Sequence, residues 1–243
     1  MAARCATHPA AAHPLAPRLQ YVSVIIPALN EEEGLRATLA EIPRDIVFDI
    51  IVVDNGSTDR TAEVARAAGA RVVPEPRRGY GQACLTGLAA LSPTADTIVF
   101  LDADHSDHPE EIAQLVAPIQ RDEADLVIGS RVLGGALPGS LTPQQRVGNW
   151  LACRLIAARW GARYTDLGPF RAIRRDALET LQMQDTAFGW TVEMQIKAAK
   201  HGCRIMEVPV RYRPRIGRSK ISGTWQGSVR AGATILSTIA RHA

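Results

Sequence analysis

Ile98-Val99-Phe100-Leu101-Asp102-Ala103-Asp104-His105-Ser106-Asp107 decides how the rest of this chain is read. Four apolar residues run into two carboxylates spaced one residue apart. An uninterrupted apolar run of this kind predicts a strand covered on both faces, as in parallel sheets. The carboxylates then stand at its carboxyl end, the edge where open α/β sheets bind ligands. In extended backbone Asp102 and Asp104 point to the same side. Two hard oxygen donors on one side suit Mg²⁺ or Mn²⁺, ions that usually also hold phosphate oxygens. The plainer alternative is that Asp102 caps a turn and Asp104 is solvated, and the flanking sequence decides between the two.

On the amino-terminal side, Tyr21-Val22-Ser23-Val24-Ile25-Ile26-Pro27 predicts a first strand that stops at Pro27, which cannot donate to a ladder. Asn30 is placed to cap a helix reaching Ile42, with acids in its first turn. Phe48–Val53 predicts a second strand, ending in the turn cluster Asp54-Asn55-Gly56-Ser57. Ser57 or Thr58 is expected to cap the next helix, which Gly69 closes. Arg71–Val73 is a short strand, and the basic, glycine-bearing loop Arg77–Gln82 enters a helix over Ala83–Leu91. On the carboxyl side, Pro109 opens a helix and Asp125–Gly129 predicts another strand. Strands alternating with helices predict an α/β fold: one Rossmann-like, mainly parallel sheet with helices on both faces.

Beyond Ser130-Arg131 the regularity breaks. Val132–Pro143 reads as a mobile loop, and Gln144–Trp160 as an amphipathic helix with Val147, Leu151, Leu155 and Ile156 on one stripe. Tyr164–Arg171 is irregular. Short elements follow at Ala172-Ile173, Arg175–Leu181, Thr191–His201 and Arg204–Val210, and Trp225–Ala240 reads as a final amphipathic helix.

A chain of 243 residues can bury a full core. Its net charge of +3 gives no global reason to expect a nucleic-acid partner. The late cluster Arg204, Arg211, Arg213, Arg215, Arg218 and Lys220 suits phosphates, an anionic membrane surface or a solvated face. Cys5, Cys84, Cys153 and Cys203 form no CxxC pair or metal spacing, so free thiols in a reducing, cytoplasmic compartment are expected. No run is long and apolar enough for a membrane span. Met1–Gln20 lacks a continuous apolar region and reads as a disordered extension rather than a signal peptide. No sequence feature sets an oligomeric state.

Three strand ends carry polar clusters: Asn30-Glu31, Asp54–Ser57 and Asp102–Asp104. Together they describe a crevice able to hold a nucleotide and its diphosphate. Neither a G-x-G-x-x-G after the first strand nor a P-loop is present, which disfavours a dinucleotide oxidoreductase or an NTPase.

These motifs occur in a set. Val24-Ile-Ile-Pro-Ala-Leu-Asn-Glu31, Ile51-Val-Val-Asp-Asn-Gly-Ser-Thr-Asp59, Arg78-Gly-Tyr-Gly-Gln-Ala83, Leu101-Asp-Ala-Asp104, Gly129-Ser-Arg131, Asp166-Leu-Gly-Pro-Phe-Arg171 and Gly217-Arg-Ser-Lys220 follow one another in order. The chain thereby resembles family 2 glycosyltransferases of the GT-A fold, and more narrowly the dolichyl/polyprenyl-phosphate mannose or glucose synthases. The resemblance implies a GT-A domain over residues 21–223, followed by the amphipathic helix over 224–243. It implies that Pro27, Asn30 and Glu31 line the nucleotide pocket, that Asp54 approaches the base, and that Gly79 and Gly81 let backbone approach the nucleotide. Asp102 and Asp104 would engage a Mg²⁺ or Mn²⁺ ion and the diphosphate, with Ser106 standing where relatives carry a Gln ligand. Asn55 replaces an acid usual in the second motif.

The implied reaction is inverting transfer of a hexose from a nucleotide-diphosphate sugar, of the GDP-mannose or UDP-glucose type, to a polyprenyl phosphate. Arg131, Arg171, Arg218 and Lys220 are the candidate phosphate partners, Lys220 on the donor and the arginines by bidentate contact. An anionic lipid phosphate needs no strong base. A hydroxyl acceptor, on a glycolipid or small molecule, would need a carboxylate such as Asp166 or Glu193. Nucleotide-sugar binding without turnover is the third reading, which the intact Asp102/Asp104 pair and Asp166 disfavour. The final helix carries Ile221, Trp225, Val229, Ile235, Leu236 and Ile239 near basic residues. It is expected either to lie in the membrane interface, at the cytoplasmic surface, or to pack on the core.

Overall fold

The structure, a computed structural model, describes residues 21–217 and 225–242. The extension read over residues 1–20, Arg218, Lys220 and Ile221, and the side chains of Trp225 and Val229, lie outside what it describes.

Seven strands form one sheet: β1 (Val22–Ala28), β2 (Val47–Asp54), β3 (Arg71–Pro74), β4 (Thr97–Phe100), β5 (Leu126–Ser130), β6 (Arg171–Arg174) and β7 (Ile205–Pro209). Their spatial order is β3-β2-β1-β4-β6-β5-β7. All neighbours are parallel except β6, which runs antiparallel to both β4 and β5. The parallel strands are apolar on both sides because both faces are covered. Val22, Val24 and Ile26 pack into one core layer, whereas Ile25 packs into the other. Val99 and Val127 join the first layer, and Ile98, Phe100, Leu126 and Ile128 the second. Helices α1 (Glu32–Glu41), α2 (Thr61–Ala67) and α4 (Ile112–Gln120) supply the first layer. Helices α3 (Tyr80–Ala89), α6 (Pro143–Trp160), α7 (Arg175–Leu181), α8 (Trp190–Lys200) and α9 (Trp225–His242) supply the second.

Local readings are corrected in several places. β1 continues one residue past Pro27, which retains its register with Val53. Arg131–Gly134 forms a short helix, α5, inside the segment read as a loop. Thr142 caps α6 through a reciprocal capping box with Gln145, which fixes where that helix starts. The expected apolar stripe of α6 is only partly used. Ile156 is buried, while Val147 is 64% and Leu151 41% exposed. In α9, Ile239 is buried and Ile235 packs against the core, so this part of the helix docks on the enzyme, whereas Leu236 remains exposed.

Candidate active site

Register brings the functional segments to one sheet edge. Ala28 lies opposite Asp54, Ile25 opposite Phe100, and Phe100 opposite Arg171. The carboxyl ends of β1, β2, β4 and β5 therefore meet the amino end of the antiparallel β6. β4 stops at Phe100, although the Leu101 amide still donates to the Ile25 carbonyl. Asp102 and Asp104 lie beyond it in a turn, so the turn, not strand alternation, places them in one cavity. Helix α1 supports that turn closely. A Cβ at Gly34 would sit 2.9 Å from the Ala103 carbonyl oxygen, and the Thr38 hydroxyl lies 3.4 Å from that same oxygen.

The cavity, about 370 Å³, is lined by Pro27, Glu31, Gly79, Asp102 and Asp104 among the expected residues. Tyr80, Asn55, Arg78, Phe188 and Arg215 also line it and had no individual assignment. Burial and the neighbouring Asp104 raise the Asp102 carboxyl above the usual range. Tyr80, itself held as a phenol by burial and by Asp102, donates to Asp102 Oδ1 at 3.1 Å. Two crowded carboxylates facing one cavity fit a divalent cation, and Asp104 already faces a cation. Arg215 Nη1 lies 3.0 Å from Asp104 Oδ2, and its Nη2 lies 2.6 Å from Glu31 Oε1. Among the described residues no three Asp, Glu, His or Cys side chains converge on a metal site, so the protein would supply the two aspartates and the diphosphate the remaining oxygens. Ser106 stands behind Asp104: its hydroxyl donates to Asp104 Oδ1 at 2.5 Å and its amide to the same oxygen at 3.0 Å. Its role in this geometry is orienting Asp104 rather than presenting a lone pair to the cavity.

Three donor-side residues do other work. Asn30 is not the cap of α1. It adopts φ 52° and its Oδ1 accepts the Thr58 amide at 2.7 Å, while its own amide donates to Ser57 Oγ. Ser57 and Thr58 thus clamp the β1 loop instead of capping α2, whose first turn is bonded by Asp59. Asp54 Oδ1 accepts the Ser57 amide, and its neighbour Asn55 faces the cavity. The Asn55 side chain donates to the Glu75 and Arg77 carbonyls and accepts from the Gly79 amide. An acid could not donate those two bonds, which accounts for the amide here. Gly81 is needed for packing, not for a nucleotide: a Cβ there would sit 2.0 Å from the Asp185 carbonyl oxygen, and one at Gly79 2.2 Å from that of Thr186. The Asp185–Gly189 turn is held in turn by Asp185 Oδ1, which accepts the Ala187 and Gly189 amides, and by Arg241 of α9 on Oδ2 at 3.0 Å.

A second cavity of about 1060 Å³ opens between α5, α6 and the 163–165 segment. Arg131, Arg146, Arg154 and Arg163 line it together with Val132, Leu141 and Trp150, and among the described residues no acidic side chain does. From Arg131, on the wall of this cavity, contacts run back toward Asp104. Its guanidinium stacks 5.0 Å over the Tyr212 ring, and the Tyr212 hydroxyl lies against Ser106, behind Asp104. Arg131 is also paired in bidentate fashion with buried Asp166, Nε–Oδ2 at 2.8 Å and Nη2–Oδ1 at 2.7 Å. Burial opposes the Arg131 charge, but Asp166 more than compensates and raises its pKa above the ordinary value. Asp166 consequently has no free oxygen facing a hydroxyl. Glu193, the other base candidate, is 3% exposed and accepts the Gln184 and Asp185 amides beside Lys197. Arg171 is not a phosphate partner. It is fully buried and lines neither cavity, donating to the Gly168 and Thr191 carbonyls, and burial pushes its pKa down to about 10.

Comparison with known proteins agrees with this geometry. An uncharacterized glycosyltransferase of Mycobacterium tuberculosis is 41% identical over 211 residues, spanning 86% of this chain and 93% of its own. The dolichyl-phosphate hexose transferase of Haloferax volcanii is 33% identical over 218 residues, 88% and 92% of the two chains. Among solved structures, glucosyl-3-phosphoglycerate synthase from M. tuberculosis, in complex with Mn²⁺, UDP-glucose and phosphoglyceric acid, superposes with a TM-score of 0.71. It is 29% identical and covers 91% of this chain and 80% of that one. Residues 23–182 match Glycosyl transferase family 2, and with the GT-A architecture and the paired aspartates at its sheet edge, the chain belongs to that family.

Proposed function

We propose that this enzyme transfers a hexose, with inversion, from a nucleotide-diphosphate sugar to a polyprenyl phosphate, in a metal-dependent reaction. The second cavity carries this reading: four arginines and an apolar wall, with no acidic lining among the described residues. Arginine forks bind phosphate oxygens, and Trp150, Leu141 and Val132 offer the adjoining lipid an apolar surface. Both carboxylates that could deprotonate a hydroxyl are occupied, Asp166 by Arg131 and Glu193 by backbone amides and Lys197.

Asp102 and Asp104 would hold Mg²⁺ or Mn²⁺, which when bound neutralises charge on the leaving diphosphate. The phosphate oxygen of the acceptor supplies the electron pair for the new bond to the anomeric carbon. The bond from that carbon to the donor's diphosphate breaks, and the nucleoside diphosphate leaves with its electrons. No proton moves in this step, because the nucleophile is already an anion. Arg131 orients the incoming phosphate, Asp166 keeps its fork fixed, and Tyr80 and Ser106 hold the aspartates.

The same region supports contact with a membrane surface. Val132 and Trp150, which line the cavity with its arginines, and Leu133, Leu137 and Val147 on the same segments are each more than half exposed. Among the described residues no helix is long and apolar enough to cross a membrane.

The deciding experiment supplies UDP-glucose or GDP-mannose with Mn²⁺ and three acceptors: a short polyprenyl phosphate, 3-phosphoglycerate and an alkyl glycoside. A lipid-linked sugar phosphodiester, identified by mass, is expected. Transfer to phosphoglycerate alone would mean that the arginines serve a small anionic acceptor. Transfer to the glycoside alone would overturn the phosphate reading.

A further inference from the structure

Arg215 sits on a strap, residues 212–217, laid across the turn that carries the paired aspartates. Several of its attachments do not use the side chains of the paired aspartates. The Arg213 amide donates to the Ser106 carbonyl at 3.0 Å, and the Arg213 side chain reaches Glu41 at 2.6 Å. The Ile216 amide donates to the Asp104 carbonyl at 2.9 Å. The hook that reaches the aspartate side chains is the Arg215 guanidinium, which bridges Glu31 Oε1 and Asp104 Oδ2. Asp104 Oδ1 is already taken by the amide and hydroxyl of Ser106. Oδ2 is therefore the oxygen that would be left for a cation, and Arg215 covers it. Arg215 lines the same cavity as the paired aspartates, and its Nε–H is buried without an acceptor. A buried, unsatisfied donor on a charged group is costly unless a ligand completes it.

We infer that Arg215 and the divalent cation exclude one another at Asp104, and that the displaced guanidinium passes to the donor's diphosphate. A cation arriving alone must evict Arg215 from Asp104 and finds no new partner for it. A cation arriving with a diphosphate releases Arg215 onto phosphate oxygens, where Nε and the freed Nη1 form a two-pronged contact. Metal and nucleotide binding thus favour each other through one side chain, and by linkage the coupling is reciprocal. This rests on the metal reading of the paired aspartates proposed above.

The test measures Mn²⁺ binding by the electron paramagnetic resonance of free Mn²⁺, with and without UDP or GDP, in the intact chain and in Arg215→Gln and Arg215→Lys. Allosteric couplings commonly span about 5- to 150-fold, so a change of roughly tenfold is expected. Arg215→Gln should bind Mn²⁺ alone about tenfold more tightly than the parent chain, and its nucleotide-dependent gain should shrink by about the same factor. Arg215→Lys should fall between the two. In the parent chain, Mn²⁺ alone should speed hydrogen exchange at the Ile216 amide, and Mn²⁺ with nucleotide should restore protection; this arm decides the matter if Arg215→Gln does not fold. Mn²⁺ binding with the same affinity and coupling in all three proteins, or no change at Ile216, overturns the exchange of partners while leaving the metal reading intact. No Mn²⁺ binding by any of them, with nucleotide present, overturns both.

Discussion

The two cavities are built from opposite materials. The donor pocket is carboxylate-rich, formed by strand ends and the turns just beyond them, and Arg78 and Arg215 are the cations lining it among the described residues. The second cavity is arginine-rich, formed largely by helices α5 and α6, and has no acidic lining among the described residues. Under the proposed reaction, acids gather where a cation and its diphosphate would be held, and arginines where the acceptor's phosphate would enter. Strand ends are held on both sides by the sheet, so the donor groups are placed precisely. Helix α6 is fastened mainly at its cap and its inner face, leaving its outer apolar side chains free.

The comparison is tested most severely at Asp104. Asp104→Asn should lower turnover by at least about a hundredfold, as loss of a charge-stabilising group does, without loss of fold by circular dichroism. Activity near that of the parent chain, or full activity in EDTA, would remove the division between a metal side and a metal-free side. Next in size is the Arg131–Asp166 pair. Arg131→Ala leaves buried Asp166 without its partner, at a cost of about 3–5 kcal/mol, and should also weaken acceptor use more than donor use. The double change Arg131→Met with Asp166→Leu should recover most of that stability in urea titrations but not acceptor use.

A subtler probe is Gly34→Ala in α1. The added methyl meets the Ala103–Asp104 backbone at 2.9 Å, so donor kinetics should suffer by roughly tenfold while overpacking costs only about 1–3 kcal/mol. An unchanged KM for the donor would show that the turn yields freely. On the other side, Arg146→Ala should raise the acceptor KM several-fold with the donor KM unchanged. If both rise together, the cavities are not functionally separate.

The smallest effect lies away from both cavities. Arg204, and then Arg174, hold the exposed Asp122 carboxyl down to about 2. A depressed folded-state pKa contributes stability above the unfolded value near 3.9 that is lost as pH falls toward 2. Asp122→Asn should flatten the stability profile in that window and change nothing at neutral pH beyond a slight, salt-screened loss. Identical profiles would show that this surface cluster contributes nothing measurable.

Much of this was legible in the sequence because it is local. Apolar runs marked the strands, and their ends marked one sheet edge with Asp102, Asp104, Glu31 and Pro27 upon it. Asp102, Asp104 and Glu31 follow from where apolar runs give way to polar clusters, whereas a pocket role for Pro27 came from the family resemblance, since β1 runs past it. The errors have a common origin. Asn30, Ser57 and Thr58 looked like helix caps, yet they bond to one another across two loops distant in the chain, an arrangement only the pairing of β1 with β2 creates. Arg171 looked like a phosphate ligand, but the antiparallel insertion of β6 between β4 and β5 buries it.

The sequence alone therefore determined the alternation of elements, the doubly covered sheet and the acidic edge, since periodicity and chain stops are properties of neighbouring residues. Tertiary structure alone decided which charges meet: Arg131 with Asp166, Arg241 with Asp185, and Arg215 with Glu31 and Asp104. A charged side chain is compatible with solvent, with a buried partner or with a ligand. The choice depends on which distant residue the fold brings within about 3 Å and on how much water it excludes there.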